Sequence, residues 1–95
     1  MDFDWHDEKS EACRRDPSRG FGFDYAARIF ASPVIERVDD RRDYGELRIQ
    51  AIGEVDGLLY FVCYTDRVID GSDVRWIISA RRAHEKERRR WLGGP

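Results

Sequence analysis

The sequence predicts an α+β fold in which two N-terminal helices precede an antiparallel meander of three to four strands, and a C-terminal helix closes the chain. Three observations support this prediction. Apolar residues at helical spacing occur before residue 31, strand-like segments fill residues 34–80, and an unbroken polar helix pattern follows. Helices grouped before and after a sheet are typical of the α+β class. The length of 95 residues suits one domain, so residues 1–95 are expected to fold as a single unit.

The two N-terminal helices are predicted over residues 5–15 and 23–30. The first contains no helix breaker until Pro17, which excludes the residue before it from the helical region. The second places its apolar residues on one face at helical spacing: Phe23, Ala26, Ala27 and Phe30. The connection contains Gly20-Phe21-Gly22 but has neither a preceding strand nor a third glycine, so a dinucleotide-binding loop is not indicated.

Four segments have the character of strands: residues 34–38, 46–55, 58–65 and 74–80. The first is the weakest, and a charged loop follows it. The second alternates apolar and polar residues, as a half-buried strand does. The third, LLYFVCYT, is apolar nearly throughout, which indicates a central strand covered on both faces. Asp56-Gly57 predicts a type I′ hairpin turn, and a second turn is expected around Asp70-Gly71-Ser72.

The C-terminal segment concentrates the positive charge of an acidic protein. The net charge is -2, yet residues 75–95 contain seven Lys and Arg against two acidic residues, whereas residues 1–74 contain ten against seventeen. From about residue 83 the sequence HEKERRRWL predicts a closing helix, with Glu85 and Arg89 at favourable i, i+4 spacing and an end at Gly93-Gly94-Pro95. Such charge asymmetry indicates a surface for a polyanion such as nucleic acid.

Several classes of protein are disfavoured by composition. No apolar run approaches the ~20 residues of a membrane span, and the acidic N-terminus is unlike a signal or transit peptide, so a cytoplasmic protein is expected. Cys13 and Cys63 are expected to be reduced thiols, since they lack paired spacing. Together with His6 and His84 they do not form a zinc signature, and no metal or cofactor is predicted.

Arg81 and Arg82 are the main candidates for contact with phosphate. Alternation along residues 74–82 places the two arginines on opposite faces of the last strand. A guanidinium presents a planar fork that matches phosphate oxygens. The competing interpretation of the following Arg88-Arg89-Arg90 is a solvated helix with Glu-Arg pairs, and composition favours neither.

Residues that could transfer protons or stack on bases are scattered along the chain. His84 lies near the arginines, and histidine as a residue type exchanges protons near neutral pH. Glu46, beside Tyr44 and Arg48, could act as a general base or be a surface residue at a strand start. Tyr44 and Trp91 sit among charges, where an aromatic ring could stack on a base.

Motifs along nearly the whole chain resemble the BrnT toxins of bacterial type II toxin–antitoxin systems. The matching residues are Phe3-x-Trp5-x-x-x-Lys9, Phe23-x-x-Ala26-x-x-x-Phe30-x-x-Pro33, Arg42-x-Tyr44-Gly45-Glu46-x-Arg48, Gly53, Val62-x-Tyr64-Thr65-x-Arg67, Arg75-x-Ile77-Ile78-Ser79-Ala80-Arg81-Arg82-Ala83 and Glu87-Arg88-Arg89. The sequence departs from the family at His6, at Cys13 and in the turn of residues 14–20, where Arg19 replaces a histidine.

The resemblance implies a RelE-like fold and ribonuclease activity, with a 2′-hydroxyl attacking the adjacent phosphate without a metal. Arg67, Arg81, Arg82 and Lys9 are then expected to bind and stabilise the reacting phosphate. Proton transfer is assigned to Glu46, Tyr64 or His84, and further RNA contacts to Arg75, Arg88, Arg89 and Tyr44. The implied partners are RNA and a BrnA-like antitoxin, with operator DNA bound only through the antitoxin complex.

Two other functions are compatible with the sequence. The altered turn at residues 14–20 is consistent with a catalytically inactive module of the same fold that binds nucleic acid or an antitoxin. An acidic protein-interaction domain without RNA contact is a third possibility. RNA binding that weakens steeply with salt would indicate the ribonuclease or the inactive nucleic-acid-binding module, because phosphate contacts release counterions. The protein-interaction domain would show no such dependence on salt.

Overall fold

The computed structural model describes residues 1–93 as a five-stranded sheet with helices on both of its faces. The strands are β1 Asp2–Trp5, β2 Ile35–Val38, β3 Ile49–Val55, β4 Leu58–Ile69 and β5 Ser72–Arg82. The helices are α1 Asp7–Arg15, α2 Phe23–Ala26 and α3 Glu85–Gly93, and a 3₁₀ segment, Ala27–Ala31, continues directly from α2. The strand order is β1-β5-β4-β3-β2, with β1 parallel to β5 and the other neighbours antiparallel.

The chain is α+β, but the predicted arrangement of two N-terminal helices followed by an antiparallel meander is wrong. A strand opens the chain, and its parallel pairing with β5, Phe3 opposite Arg75, makes the sheet mixed. Trp5 belongs to this strand and not to the first helix. Residues 2–5 alternate acidic and aromatic side chains, which is a strand pattern. The strand has only four residues and its partner lies some seventy positions away in the sequence. No local turn signal therefore indicates the pairing.

The central hairpins follow the sequence more closely. Asp56 and Gly57 both have positive φ, 52° and 82°, so the predicted type I′ turn between β3 and β4 is confirmed. Asp70 and Gly71 repeat this geometry, with φ of 51° and 79°. The second tight turn lets β4 and β5 extend past their predicted ends. Strand β3 instead begins at Ile49, since residues 46–48 lie in the loop that follows β2.

Each face of the sheet has its own hydrophobic core. The face covered by α1, α2 and the 3₁₀ segment buries the larger core, which includes Phe23, Ile29, Val62 and Ile77. The opposite face buries Ile52, Phe61 and Cys63, against which Trp91 of α3 packs. Residues 60–65 of β4 are buried without interruption, which confirms the prediction of a central strand covered on both faces. Full burial of a large apolar side chain stabilises the fold by about 1.5–3 kcal/mol.

The outer edge of β5 positions the candidate functional site. Strand β1 pairs with β5 only from Val74 to Ile77. The turn after α1 packs against the later part of β5, near Ala80. There the Ala80 carbonyl oxygen accepts from the thiol of Cys13 at 3.6 Å and from Arg19 Nη1 at 3.4 Å. Cys13 and Cys63 are both buried free thiols.

Within residues 1–93 no helix has the length and apolar character needed to cross a membrane. Helix α3 includes Gly93. The predicted end of this helix at Gly93-Gly94-Pro95 lies partly outside the described residues, since these stop at Gly93.

Candidate functional site

A basic pocket of about 440 Å³ lies where β5 ends. Its walls come from the end of β5, the turn after α1 and the residue before α3, namely Ser18, Arg19, Ser79, Ala80, Arg81, Arg82 and His84. The volume is within the range of small-ligand sites. The pocket unites two predicted phosphate ligands, Arg81 and Arg82, with one predicted proton-transfer residue, His84. It adds Arg19, which the sequence singled out only as a departure from the family.

A β-bulge in β5 decides which way the paired arginines point. Cys63 is opposite Ser79 and Tyr64 is opposite Ile77, so Ile78 is an extra residue that interrupts strict alternation. Beyond the bulge, Arg82 lies 5.7 Å from the Tyr60 ring on the face with the larger core, whereas Arg81 lies 4.2 Å from Phe61 on the other face. The opposite orientation of the two arginines agrees with the prediction, but the strict alternation behind it is wrong. Bulges next to functional sites often redirect side chains in this way.

Among the three arginines that line the pocket, Arg82 is the most available to a ligand. It is exposed, and within residues 1–93 it forms no ion pair with a carboxylate, whereas Arg19 and Arg81 each form one. Its positive charge is therefore not balanced by a direct partner in the described chain, unlike that of Arg81.

Arg81 is held in place by Glu87, a buried carboxylate of α3. Arg81 Nη1 lies 2.8 Å from Glu87 Oε1, and Arg81 Nη2 lies 3.3 Å from Glu87 Oε2. Glu87 also accepts the backbone N–H of His84 at 2.6 Å, the contact that the third helical residue makes in a capping box. Burial opposes the charged form, but the bonds from Arg81 and His84 outweigh it and lower the pKa of Glu87 to about 2. Glu87 thus fixes Arg81 and the His84 backbone relative to each other.

Arg19 is oriented by a short local network. Arg19 Nε donates to Asp16 Oδ2 at 2.9 Å, and Asp16 Oδ1 accepts from the amide and the hydroxyl of Ser18 at 2.8 and 2.7 Å. The bonds from Ser18, followed by that from Arg19, lower the pKa of the Asp16 carboxyl. With Nη1 on the Ala80 carbonyl as well, Arg19 lies against β5 beside the pocket.

A second predicted group, around Glu46, forms a separate cluster. Glu46 is bound by Arg67 at 3.2 Å and by Arg48 at 3.0 Å, and the Arg48 guanidinium lies 4.1 Å from the Tyr44 ring centroid. Burial raises the pKa of Glu46, but the two arginines outweigh it and lower the pKa overall. Arg67 is opposite Val74, seven residues before Arg81, which places it roughly 20 Å from the pocket along the strand. Neither Arg67, Glu46 nor Tyr44 lines the pocket.

Tyr64 and Arg75 belong to a third, largely internal cluster. Asp66 binds Arg75 through both carboxylate oxygens, at 2.8 and 3.0 Å, and the guanidinium lies 4.1 Å from the Tyr64 ring centroid. The Tyr64 hydroxyl donates to Glu36. Burial, followed by this bond to Glu36, raises the pKa of Tyr64 well above its usual value. Tyr64 is therefore a poor proton donor at neutral pH.

The remaining predicted site residues lie on helix surfaces. Lys9 is exposed on α1, one turn before Cys13, and so lies toward the side of the helix that contacts Ala80. Arg88 and Arg89 pair with Glu85 on α3 at 2.9 and 3.4 Å, and all three side chains are exposed. That arrangement is the one expected of a solvated helix.

A family model described as "Ribonuclease toxin, BrnT, of type II toxin-antitoxin system" matches residues 5–87. The chain belongs to the BrnT family. The predicted resemblance is confirmed, and membership makes the chain a ribonuclease toxin of a type II system, with RNA as its target and an antitoxin as its partner. The BrnT match includes every residue that lines the basic pocket and ends before Arg88 and Arg89. A comparison with curated proteins finds no match.

Sequence reasoning missed the contributions of Arg19 and Glu87 to the BrnT pocket. The only signal for Arg19 was its place where the family has histidine. Glu87 had a clearer signal, because a glutamate three residues after the residue that precedes a helix is typical of a capping box. Its second role, as the partner of Arg81, depends on how α3 packs against β5 and has no local signal.

Proposed function

We propose that this BrnT chain cleaves RNA in the basic pocket, through attack of a ribose 2′-hydroxyl on the adjacent phosphate and without a metal ion. In this reaction the 2′-oxygen forms a bond to phosphorus and the bond from phosphorus to the 5′-oxygen breaks. The products are a 2′,3′-cyclic phosphate and a 5′-hydroxyl. The 2′-hydroxyl loses a proton, and the leaving 5′-oxygen gains one.

The observation that carries this proposal is the exposed Arg82 beside two oriented arginines. Charge accumulates on the non-bridging phosphate oxygens in the transition state, and guanidinium groups already in place stabilise it without reorganisation. Arg82 and Arg19 are assigned to these oxygens, and Arg81, held by Glu87, completes the positive wall of the pocket. Arg82 contributes the positive charge that is not paired with a carboxylate within residues 1–93, whereas Asp16 and Glu87 orient Arg19 and Arg81.

His84 is assigned to proton transfer, because its residue type suits acid–base chemistry and it lines the pocket. Lys9 is proposed to attract the RNA backbone from the surface of α1. Glu46, Arg67, Tyr64 and Arg75 are proposed to stabilise the sheet, since each is engaged by a neighbouring side chain away from the pocket.

The test compares Arg82→Ala with Arg88→Ala, a matched loss of one exposed arginine outside the pocket. Removal of one transition-state donor is expected to lower the cleavage rate by about 10²–10³-fold. Arg88→Ala should change it by no more than a few-fold, and both variants should melt like the wild type. Equal activity of the two variants would exclude the proposed site.

Modified substrates and a chelator test the mechanism itself. RNA methylated on the 2′-oxygen at the cut site, and an all-DNA strand, should remain intact, and EDTA should leave the cleavage of unmodified RNA unchanged. Cleavage of either modified strand would exclude 2′-hydroxyl attack. Salt-sensitive binding without cleavage of any RNA would instead favour the inactive binding module.

We further propose a cytoplasmic, BrnA-like antitoxin that covers the basic pocket and binds operator DNA, so that the pair represses its own operon. Expression of the toxin alone should arrest growth, and co-expression of the antitoxin should restore it. Operator DNA should shift in a gel with the complex and not with the toxin alone.

A further inference from the structure

A second cavity, of about 450 Å³, opens beside the basic pocket and shares Arg19 with it. Its other lining side chains include Arg14, Phe21, Asp24, Tyr25 and Tyr60. The two cavities therefore differ in the residues that line them: arginines and serines recur in the first, whereas the second includes three aromatic residues. Neither the family match nor the proposed cleavage step assigns a role to the second cavity.

Three aromatic rings build one wall of the second cavity. The Phe21 and Tyr60 centroids are 5.1 Å apart at 80°, and those of Tyr25 and Tyr60 are 5.6 Å apart at 79°, both in edge-to-face geometry. Tyr60 is buried, which anchors the cluster, while Phe21 and Tyr25 are only half-buried and expose part of their rings. The Tyr25 hydroxyl donates to Asp56 at 3.0 Å, which fixes that ring.

The rim of the second cavity is polar. Arg14 Nη2 and Asp24 Oδ1 are 3.4 Å apart, a long contact between two half-exposed side chains. Both groups have spare hydrogen-bonding capacity, with donors on Arg14 and acceptors on Asp24.

Arg82 lies near both cavities. Its guanidinium lies 5.7 Å from the Tyr60 ring centroid, and Arg82 itself lines the basic pocket. Arg82 and Arg19 therefore both lie close to the basic pocket, which could bind a phosphate, and to the second cavity, which could bind a flat ring. In single-stranded nucleic acid a phosphate and a base are joined through one sugar, and aromatic side chains bind such bases by stacking.

We infer that the Phe21–Tyr25–Tyr60 cavity binds a nucleobase of single-stranded RNA whose neighbouring phosphate occupies the basic pocket. The inference rests on the proposed function, because the basic pocket must hold an RNA phosphate for the base to reach the second cavity. Phe21 supplies the partly exposed ring, Tyr60 packs against it edge-to-face, and the Arg14–Asp24 rim faces the polar edge of the base.

The test uses two uncleavable probes of equal length. One is a short 2′-O-methylated RNA, and the other is the same backbone with every base removed. Phe21→Ala should weaken binding of the base-bearing probe by about 5- to 100-fold and leave binding of the abasic probe unchanged. Arg82→Ala should weaken both probes by the same factor, because phosphates are common to them.

Two further variants separate stacking from folding. Phe21→Leu keeps the apolar bulk and removes the ring, and it should reproduce the selective loss with a normal melting temperature. Phe30→Leu removes another half-buried ring, one that packs on Phe3 and does not line the cavity, and it should leave both affinities unchanged.

An equal loss on both probes, or no loss on either, in the folded Phe21→Leu variant would overturn the base site. Cleavage of unmodified RNA by the wild type is measured separately. Failure of the proposed ribonuclease would appear there as intact RNA, whereas failure of the base site would appear only in the comparison of the two probes.

Discussion

Replacement of Glu87 by Gln tests the network that joins β5 to α3. Glu87 has an ordinary pKa of 4.5 and a pKa of about 2 in the folded protein. A difference of roughly 2.5 pH units corresponds to about 3 kcal/mol of stability at neutral pH, since each unit is worth about 1.4 kcal/mol. Because Gln keeps an oxygen that can accept the His84 N–H, we expect the variant to lose about 2–3 kcal/mol of unfolding free energy at pH 7.

The sign of the pH dependence follows from the lowered pKa. The unfolded chain binds a proton at Glu87 below about pH 4.5, whereas the folded chain does so only near pH 2, so acid removes the stabilisation between these values. By about pH 3.5 roughly 1.4 kcal/mol of it is lost. The difference in stability between wild type and Glu87→Gln should therefore shrink by this amount between pH 7 and pH 3.5.

The assay is urea unfolding of both proteins at a series of pH values. Glu85→Gln is the matched control, because Glu85 pairs with Arg88 and Arg89 on the exposed surface of the same helix. Exposed pairs contribute little, so this variant should stay within about 0.5 kcal/mol of wild type. A loss below about 0.5 kcal/mol for Glu87→Gln at pH 7, or a difference that does not shrink in acid, would refute the reasoning.

Three other predictions concern packing, thiol reactivity and charge. Gly53→Ala should lower the unfolding free energy by about 1–3 kcal/mol, because the new Cβ would meet Ile29 Cβ at 2.7 Å; a melting temperature equal to wild type would contradict this. Cys13 and Cys63 should not react with a thiol reagent at pH 8 until the protein unfolds, since burial raises the pKa of both, and rapid labelling of the native protein would refute it. The logarithm of RNA affinity should fall linearly with the logarithm of salt concentration, and Arg82→Ala should reduce that slope by about 0.7, the value for one contact to a single strand; an unchanged slope would count against a phosphate contact.

The fold was predictable wherever the determining signal is local. The Asp56-Gly57 turn needs only two residues that tolerate positive φ, and both adopt it. Strand β1 is the opposite case, because its four residues form a strand only by pairing with Val74–Ile77 at the other end of the chain. Its alternation of Asp and aromatic residues was visible, but nothing near it in the sequence indicated a partner.

Only part of the candidate site could be predicted from the sequence. Arg81, Arg82 and His84 are adjacent in sequence and line one pocket, so their proximity needed no tertiary information. Arg67 belongs to the same matched motifs but lies at the far end of β4, because antiparallel pairing places it opposite Val74. The bulge at Ile78 is a further tertiary feature, and it determines that Arg82 lies on the same face of the sheet as Arg75.

The acidic composition of the chain explains why one arginine can matter more than the rest. Carboxylates bind Arg41, Arg67, Arg75 and Arg81 at 2.7–3.2 Å, so the positive charge of these four arginines is locally balanced. The number of arginines in the sequence therefore overstates the unpaired positive charge that a polyanion would contact at these four positions. Arg82 follows the bulge, projects over Tyr60 and has no such partner within residues 1–93. The acidic residues do not oppose a phosphate site, because Asp16 and Glu87 engage Arg19 and Arg81 and, within residues 1–93, leave Arg82 unpaired at the end of β5.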